Sequence, residues 1–341
     1  MTAVVPAMAP VLPRDRLGRP LHDLRVSVIE TCNYRCPYCM PEGLTPEETA
    51  LDRARRLDFD EIETAVRAFV RLGVSKLRLT GGEPLLRKRL PDLVARLAAI
   101  PGVEDLALTT NGSLLAPQAR ALREAGLHRL TVSLDSLDPA QFTALSGGRG
   151  RLQDVLAGIE AAQAAGFPRL KINCVLQRGV NEDQALVLAE HFRGTPHVLR
   201  FIEYMDVGTC NGWRREGVLP SAELRDRISA RWPLLPLDAT YRGEVASRYR
   251  YVDGQGEVGF VSSVSEPFCG DCHRARLSAD GQLFTCLFAT QGQPLRAHIA
   301  RGEDALAAHL AGLWRERGDR YSERRASAPD RKKIEMFFIG G

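Results

Sequence analysis

The chain has 341 residues, 44% of them hydrophobic and 26% charged, enough for one large α/β unit with an appendage or for two domains. Its net charge of +4, from 46 basic against 42 acidic residues, is too small to argue for nucleic-acid or membrane binding, and only 6% of residues are aromatic. No apolar run is long enough to span a bilayer. The first 20 residues, MTAVVPAMAPVLPRDRLGRP, are rich in Pro and Ala and lack the basic start and apolar core of a signal peptide. They are expected to be disordered, and the protein is expected to be cytoplasmic.

From residue 21 the hydrophobic pattern sets up a rhythm. LRVSVI (24–29) is strand-like. DFDEIETAVRAFVRLG (58–73) is helical, with an acidic cap at its start and Gly73 at its end. SKLRLT (75–80) reads as a strand before the loop GGEP and a helix near 87–99. DLALTT (105–110) precedes NGS and a helix ending near Gly126. RLTVSL (129–134) precedes DSLDP. LQDVLAGIEAAQAAG (152–166) is helical, RLKINCVL (169–176) strand-like, 182–193 helical and VLRFIE (198–203) strand-like. Six strand–helix alternations predict a parallel sheet. Cys32, GGEP, TTNG, Ser133, Asp135 and Met205 all fall at or just past strand C-terminal ends, the rim on which barrel enzymes build their sites. Sites on six successive ends favour an incomplete (β/α)6 TIM-type barrel over a doubly wound sheet, which gathers ligands at its switch point. Past about residue 240 the pattern alternates like short antiparallel strands. The expected organisation is a tail (1–20), a partial barrel (21–240) and a C-terminal α+β extension (241–341) covering the open side.

Six of the eight cysteines fall in two groups. In a cytosolic chain clustered thiols are metal ligands or redox groups more often than disulfides. Cys32-x3-Cys36-x2-Cys39 follows the first strand directly. A zinc site would need a second pair elsewhere. Three thiolates on one loop instead suit a four-iron, four-sulfur cluster whose fourth iron is left open to a small molecule. Cys269-x2-Cys272-x13-Cys286 repeats the three-thiol count. Here a zinc site with His273 as fourth ligand competes with a second open cluster. Cys174 reads as a small core residue, and Cys210 sits in the loop TCNGW.

The cysteine loop, with Tyr38 before its last cysteine, and Gly81-Gly82-Glu83-Pro84 after the second strand resemble the radical S-adenosylmethionine (SAM) superfamily. The stretches LRVSVIETCNYRCPYCMPEG, LRLTGGEPLLR, TTNGSLL, TVSLDSLD, KINCVLQRGVN, RFIEYMDVG and GEVGFVSSVSEPFCGDCHRARLSADGQLFTCLFA, with the terminal Gly340-Gly341, resemble its GTP 3′,8-cyclase branch over about residues 21–341. That branch opens molybdenum cofactor biosynthesis. The resemblance implies two [4Fe-4S] clusters, one on Cys32, Cys36 and Cys39 and one on Cys269, Cys272 and Cys286. It implies SAM contacts from Tyr38, Gly82, Ser133 and Met205. It implies GTP contacts from Arg25, Arg78, Thr109, Lys171, Arg274 and Arg276, and it brings the Gly-Gly tail to the site. The implied reaction is abstraction of the C3′ hydrogen of GTP by a 5′-deoxyadenosyl radical, then attack of the ribose radical on guanine C8. A low-potential electron donor, a homodimer and hand-off to cyclic pyranopterin monophosphate synthase are implied as well. Thr31 departs from the family, which often has a basic residue there.

Basic residues inside apolar strands need a reason, because an unpaired interior charge is costly. A phosphate-binding interior is one reason for Arg25, Arg78 and Lys171; buried ion pairs with Glu203 or Asp135 are the other. The competing functions are a radical SAM peptide-modifying maturase with an auxiliary cluster and a metal-cluster binding module. The first needs more cysteines than three for its auxiliary clusters, and the second a concentrated basic face.

Overall fold

The computed structural model describes residues 12–40, 43, 51, 53–327 and 333–340. Strands β1 (Asp23–Ser27), β2 (Lys76–Thr80), β3 (Asp105–Thr110), β4 (Arg129–Ser133), β5 (Lys171–Leu176) and β6 (Val198–Glu203) pair in parallel in chain order. Helices pack on their outer face. The helix Phe59–Arg71 starts where Asp58 accepts from the Glu61 amide while the Glu61 carboxylate accepts from the Asp58 amide, and it buries Ile62, Ala65, Val66 and Phe69.

Side chains of a strand alternate between faces. Outward go Leu24, Val26, Leu77, Leu79, Leu106, Leu108, Leu130, Val132 and Ile172, all buried beneath the helices. Inward go Arg25, Arg78, Thr109, Lys171, Asn173 and Arg200, which line a cavity. A closed barrel fills its interior with apolar layers. This polar inner row cannot be packed that way, and the barrel stays open.

The C-terminal extension continues the same sheet at both edges. Strands β7 (Leu234–Leu237), β8 (Ser247–Tyr251) and β9 (Glu257–Val261) are joined antiparallel, and β9 lies parallel to β6. Strands β10 (Arg274–Leu277), β11 (Gln282–Phe284) and β12 (Gln293–Pro294) do the same at the other edge, with β10 parallel to β1. Twelve strands therefore run in the order β12-β11-β10-β1-β2-β3-β4-β5-β6-β9-β8-β7. Because β9 and β10 sit on opposite edges, residues 262–273 must cross the open side between them. Glu203, at the end of β6, holds this crossing. Its carboxylate accepts from the Val264 amide at 2.8 Å, the Ser265 amide at 2.9 Å, the Ser265 hydroxyl and the Ser221 amide. The antiparallel part begins at Leu234, ahead of residue 240, after a helix at Ser221–Arg231 that the hydrophobic pattern did not reveal.

Residues 12–20, read from sequence as part of a disordered tail, are instead packed. Asp15 and Arg19 form a buried ion pair at 2.5 Å, and the Trp314 indole donates to the Arg19 carbonyl at 3.0 Å. Charged residues look like solvated tail until a partner 295 residues away is in place. The earlier part of that segment, 1–11, lies outside the described residues. Among the described residues no helix is long and apolar enough to cross a membrane.

Glu203→Ala leaves three donors of the crossing segment and the Ser221 amide without an acceptor. It should cost about 3 kcal/mol or more in urea-induced unfolding, while Glu203→Gln should lose less.

Candidate active site

Inside the half barrel lies a cavity of about 530 Å3. Ten basic side chains line it against four acidic ones: Asp23, Asp135, Glu244 and Glu257. Register explains the crowding. Arg276 of β10, Arg25 of β1 and Arg78 of β2 are direct neighbours on adjacent parallel strands, about 4.8 Å apart on one face. Arg78 donates to the hydroxyls of Thr109 at 3.1 Å and Thr131 at 3.3 Å. Arg200 donates to Asn173 Oδ1 at 2.6 Å. Arg25 and Lys171 have no hydrogen-bond or ion-pair partner among the described residues.

Most carboxylates that might have neutralised these cations are committed elsewhere; Asp23 is the exception, its Oδ1 accepting no hydrogen bond and its charge favouring protonated Arg25, Arg78 and Arg274. Glu203 holds backbone amides, and Asp135 accepts from the Tyr38 hydroxyl at 2.7 Å and the Val175 amide at 2.8 Å. Glu257 is taken by Arg169 and Arg248, at 2.9 and 3.0 Å. The consequence appears in the proton affinities. Burial, then Arg200, Arg129 and Arg78, push the Lys171 ammonium down to about 7. Burial, then Arg274, pushes Arg276 down to about 9, and burial, then Arg78 and Arg129, does the same to Arg200. Arg25 is pushed well down by burial, then by Arg276, Arg78 and Arg274. Buried like charges of this kind suit an anionic ligand.

Cys32, Cys36 and Cys39 are unpaired and half-buried on the loop after β1. Cys32 Sγ accepts from the Tyr34 amide at 3.4 Å and from Asn111 Nδ2 at 3.8 Å. Burial, then the charge of Glu83, pushes the Cys32 thiol up to about 11. Cys36 is pushed well up by burial, then by Cys39, and Cys39 by burial, then by Cys32. Burial is the first cause at all three. Among the described residues no three His, Cys, Asp or Glu side chains converge on a point for a single ion.

The GGEP loop serves the cysteine loop directly. The Gly82 amide donates to the Ile29 carbonyl at 2.7 Å and the Glu83 amide to the Thr31 carbonyl at 2.8 Å. A Cβ at Gly82 would collide with the Thr31 carbonyl, so only glycine permits this approach. Gly82, expected to contact SAM, is therefore required first by this contact between loops, and it does not line the cavity. Glu83 accepts from the Asn111 amide, the Thr110 hydroxyl and the Leu85 amide, and burial pushes it up to about 7. Tyr38, Ser133 and Met205 line the cavity.

Cys269, Cys272 and Cys286 also line it. Burial would raise Cys272, but Arg274 and Arg317 outweigh it and bring the thiol down to about 6; each donates to Cys272 Sγ at 3.4 Å. Burial pushes Cys286 up to about 12. His273, the candidate zinc ligand, has Nδ1 3.5 Å from Asp23 and packs edge-on to the His22 ring. Because Asp23 pairs with Arg274, Cys272 lies at the N-terminal end of β1, whereas Cys32 follows its C-terminal end. The two thiol groups thus lie at opposite ends of one strand; the second lines the cavity, and the first loop reaches it through Tyr38. Arg276 donates to the Gly340 carbonyl, and Gly340, at φ 71°, sits against Thr80, so the chain's last helical turn (Met336–Ile339) reaches the site. Gly341 lies outside the described residues. Cys174 is fully buried in the core, and Cys210 Sγ donates to Glu335 at 2.8 Å.

Residues 26–192 match the radical SAM superfamily model and residues 197–323 the Molybdenum Cofactor Synthesis C model. A GTP 3′,8-cyclase of Xanthomonas campestris pv. campestris is 66% identical over 99% of this chain and 100% of its own length. The chain belongs to the GTP 3′,8-cyclase family. More distant cyclases, from Acidothermus cellulolyticus at 52% and Staphylococcus aureus at 41% identity, each align with 96% of this chain, over 99% and 98% of their own lengths. Among solved structures, SuiB of Streptococcus suis bound to its precursor peptide SuiA superposes with a TM-score of 0.63 at 13% identity. The match covers 87% of this chain but 65% of SuiB, and it speaks to the fold alone.

Five of the ten cavity cations escaped the sequence reading: Lys76, Arg129, Arg169, Arg200 and Arg248. Arg129 opens β4, forked onto Asp105, and Arg200 lies in β6. For Arg200 the signal was present: in VLRFIE it is the one cation of an apolar strand, as Arg25 is in β1.

Gly82→Ala should separate the two cysteine groups. After anaerobic reconstitution its iron per chain should fall, by roughly half if the second thiol group also holds a four-iron cluster.

Proposed function

We propose that this chain is a radical SAM GTP 3′,8-cyclase of molybdenum cofactor biosynthesis. In this reading four-iron clusters are held by Cys32, Cys36 and Cys39 and by Cys269, Cys272 and Cys286, with GTP in the cavity between them. The observation that carries it is the set of cations without carboxylate partners midway between two groups of unpaired thiols. When bound, the first cluster and SAM supply a 5′-deoxyadenosyl radical for hydrogen abstraction from the ribose.

The chain's own residues bind, orient and shield. Arg25, Arg78, Lys171, Arg200, Arg274 and Arg276 are placed to take the triphosphate, whose negative charge relieves their mutual repulsion. Thr109, already fixed by Arg78, offers its hydroxyl beside them. Tyr38, Ser133 and Met205 serve the SAM side, with Tyr38 locked by Asp135. Cys269, Cys272 and Cys286 line the cavity from the other end and would hold the second cluster there, beside the base. The 262–273 crossing and the residues up to Gly340 close the open side and exclude water and stray hydrogen donors. The reading also calls for a low-potential electron donor, and for delivery of the product to cyclic pyranopterin monophosphate synthase.

Anaerobically reconstituted protein given SAM, a strong reductant and each nucleoside triphosphate in turn should form 5′-deoxyadenosine and a cyclised nucleotide with GTP. 5′-Deoxyadenosine formed at the same rate without GTP would keep the radical SAM chemistry and remove the cyclase reading.

Lys171→Ala should weaken GTP binding by about 10- to 100-fold in calorimetry, the loss of one charge-assisted contact, and leave SAM binding unchanged. Lys171 also sets a pH dependence. Free, it titrates at about 7, and bound phosphate must raise that value. GTP binding at pH 8 should therefore take up a proton, seen as a buffer-dependent binding enthalpy. Affinity should fall as pH rises above 7 and level off below it. Both effects should vanish in Lys171→Ala.

A further inference from the structure

Arg317, just past the helix Glu303–Glu316, has a side chain only 1% exposed. Its Nη1 donates to the Cys272 carbonyl at 2.6 Å and its Nη2 to Cys272 Sγ at 3.4 Å. Its Nε donates to Asp319 at 2.9 Å, and the guanidinium lies 4.5 Å from the Trp314 ring centroid. Arg19, from the other end of the chain, donates to the Cys269 carbonyl at 2.7 Å. Asp15 binds both arginines, at 2.5 Å and 3.6 Å.

Neither Arg19 nor Arg317 lines the cavity, which separates them from Arg274 and removes substrate binding as their purpose. Stability is a weak reason for them too, since burying several charges gains little over apolar packing. What the pair does touch is the backbone and one sulfur of the second cysteine group. Donors to a cysteine sulfur and a nearby positive charge both favour the reduced, more negative state of an iron–sulfur centre.

We infer that Arg317 is a positioning residue for the second cluster, fixing Cys272 and raising the cluster's reduction potential, with Arg19 and Asp15 bracing it from the N-terminal segment. This rests on the two-cluster reading above. The geometry adds that residues 12–20 are part of the cluster's support and not a dispensable leader.

The test uses the full chain carrying C32A, C36A and C39A, so that only the second group can be loaded. The midpoint potential is read by electron paramagnetic resonance in a redox titration, with iron counted per chain. Arg317→Met should shift the midpoint downward, and Arg317→Lys, which keeps the charge but gives up the fork to sulfur and carbonyl, should shift it down by less. If Arg317→Met does not fold, Arg317→Lys carries the test by its own downward shift. An unchanged midpoint in the folded variants at full iron load overturns the inference. Absence of a four-iron signal in the parent triple variant overturns the two-cluster reading instead.

Discussion

The mutual repulsion of cations on the inner face of a parallel half barrel is the constraint on which this structure depends. Arg276, Arg25 and Arg78 sit side by side because their strands are in register, and the nearby carboxylates other than Asp23 are committed to backbone amides or to other partners. Left to itself such a row costs free energy that the apolar outer face must offset. An interior of this kind cannot be filled with Leu and Val as in a closed barrel. It remains a cavity, and its charge arrangement suits a polyanion.

The rest of the architecture follows from keeping that cavity open yet enclosed. The sheet is not closed on itself but extended at both edges, so one chain segment has to cross from β9 to β10. That crossing carries Cys269 and Cys272, which brings the second thiol group to the end of β1 opposite Cys32. Glu203 pins the crossing from the end of β6. Asp206, three residues further on, accepts from Tyr321, Arg325 and Lys333 and so fastens the C-terminal segment that brings Gly340 to Arg276. Strand ends position the thiols, and the strand interior positions the cations.

Much of this was legible in the sequence, for local reasons. The six parallel strands announce themselves through apolar runs and terminal loops. The cysteine spacings are compact enough to mark both thiol groups, and a basic residue in LRVS or LRLT is conspicuous. What escaped is non-local. The buried Asp15–Arg19–Arg317 network joins segments about as far apart as the chain allows, and each of its charges alone looks solvated. The glycines of GGEP suggested close approach to a ligand, but the nearest neighbour of Gly82 is the Thr31 carbonyl. The extension looked like a separate cover, whereas pairing of β9 with β6 and β10 with β1 makes it part of one sheet.

The central claim, that the cavity's unpaired cations exist for a polyanion, is tested most directly by calorimetric titration of the cluster-loaded protein with GTP, GDP, GMP and guanosine. The account predicts a stepwise loss of affinity with each phosphate removed and a strong weakening of GTP binding by salt. Equal affinity across the series, insensitive to salt, would contradict it.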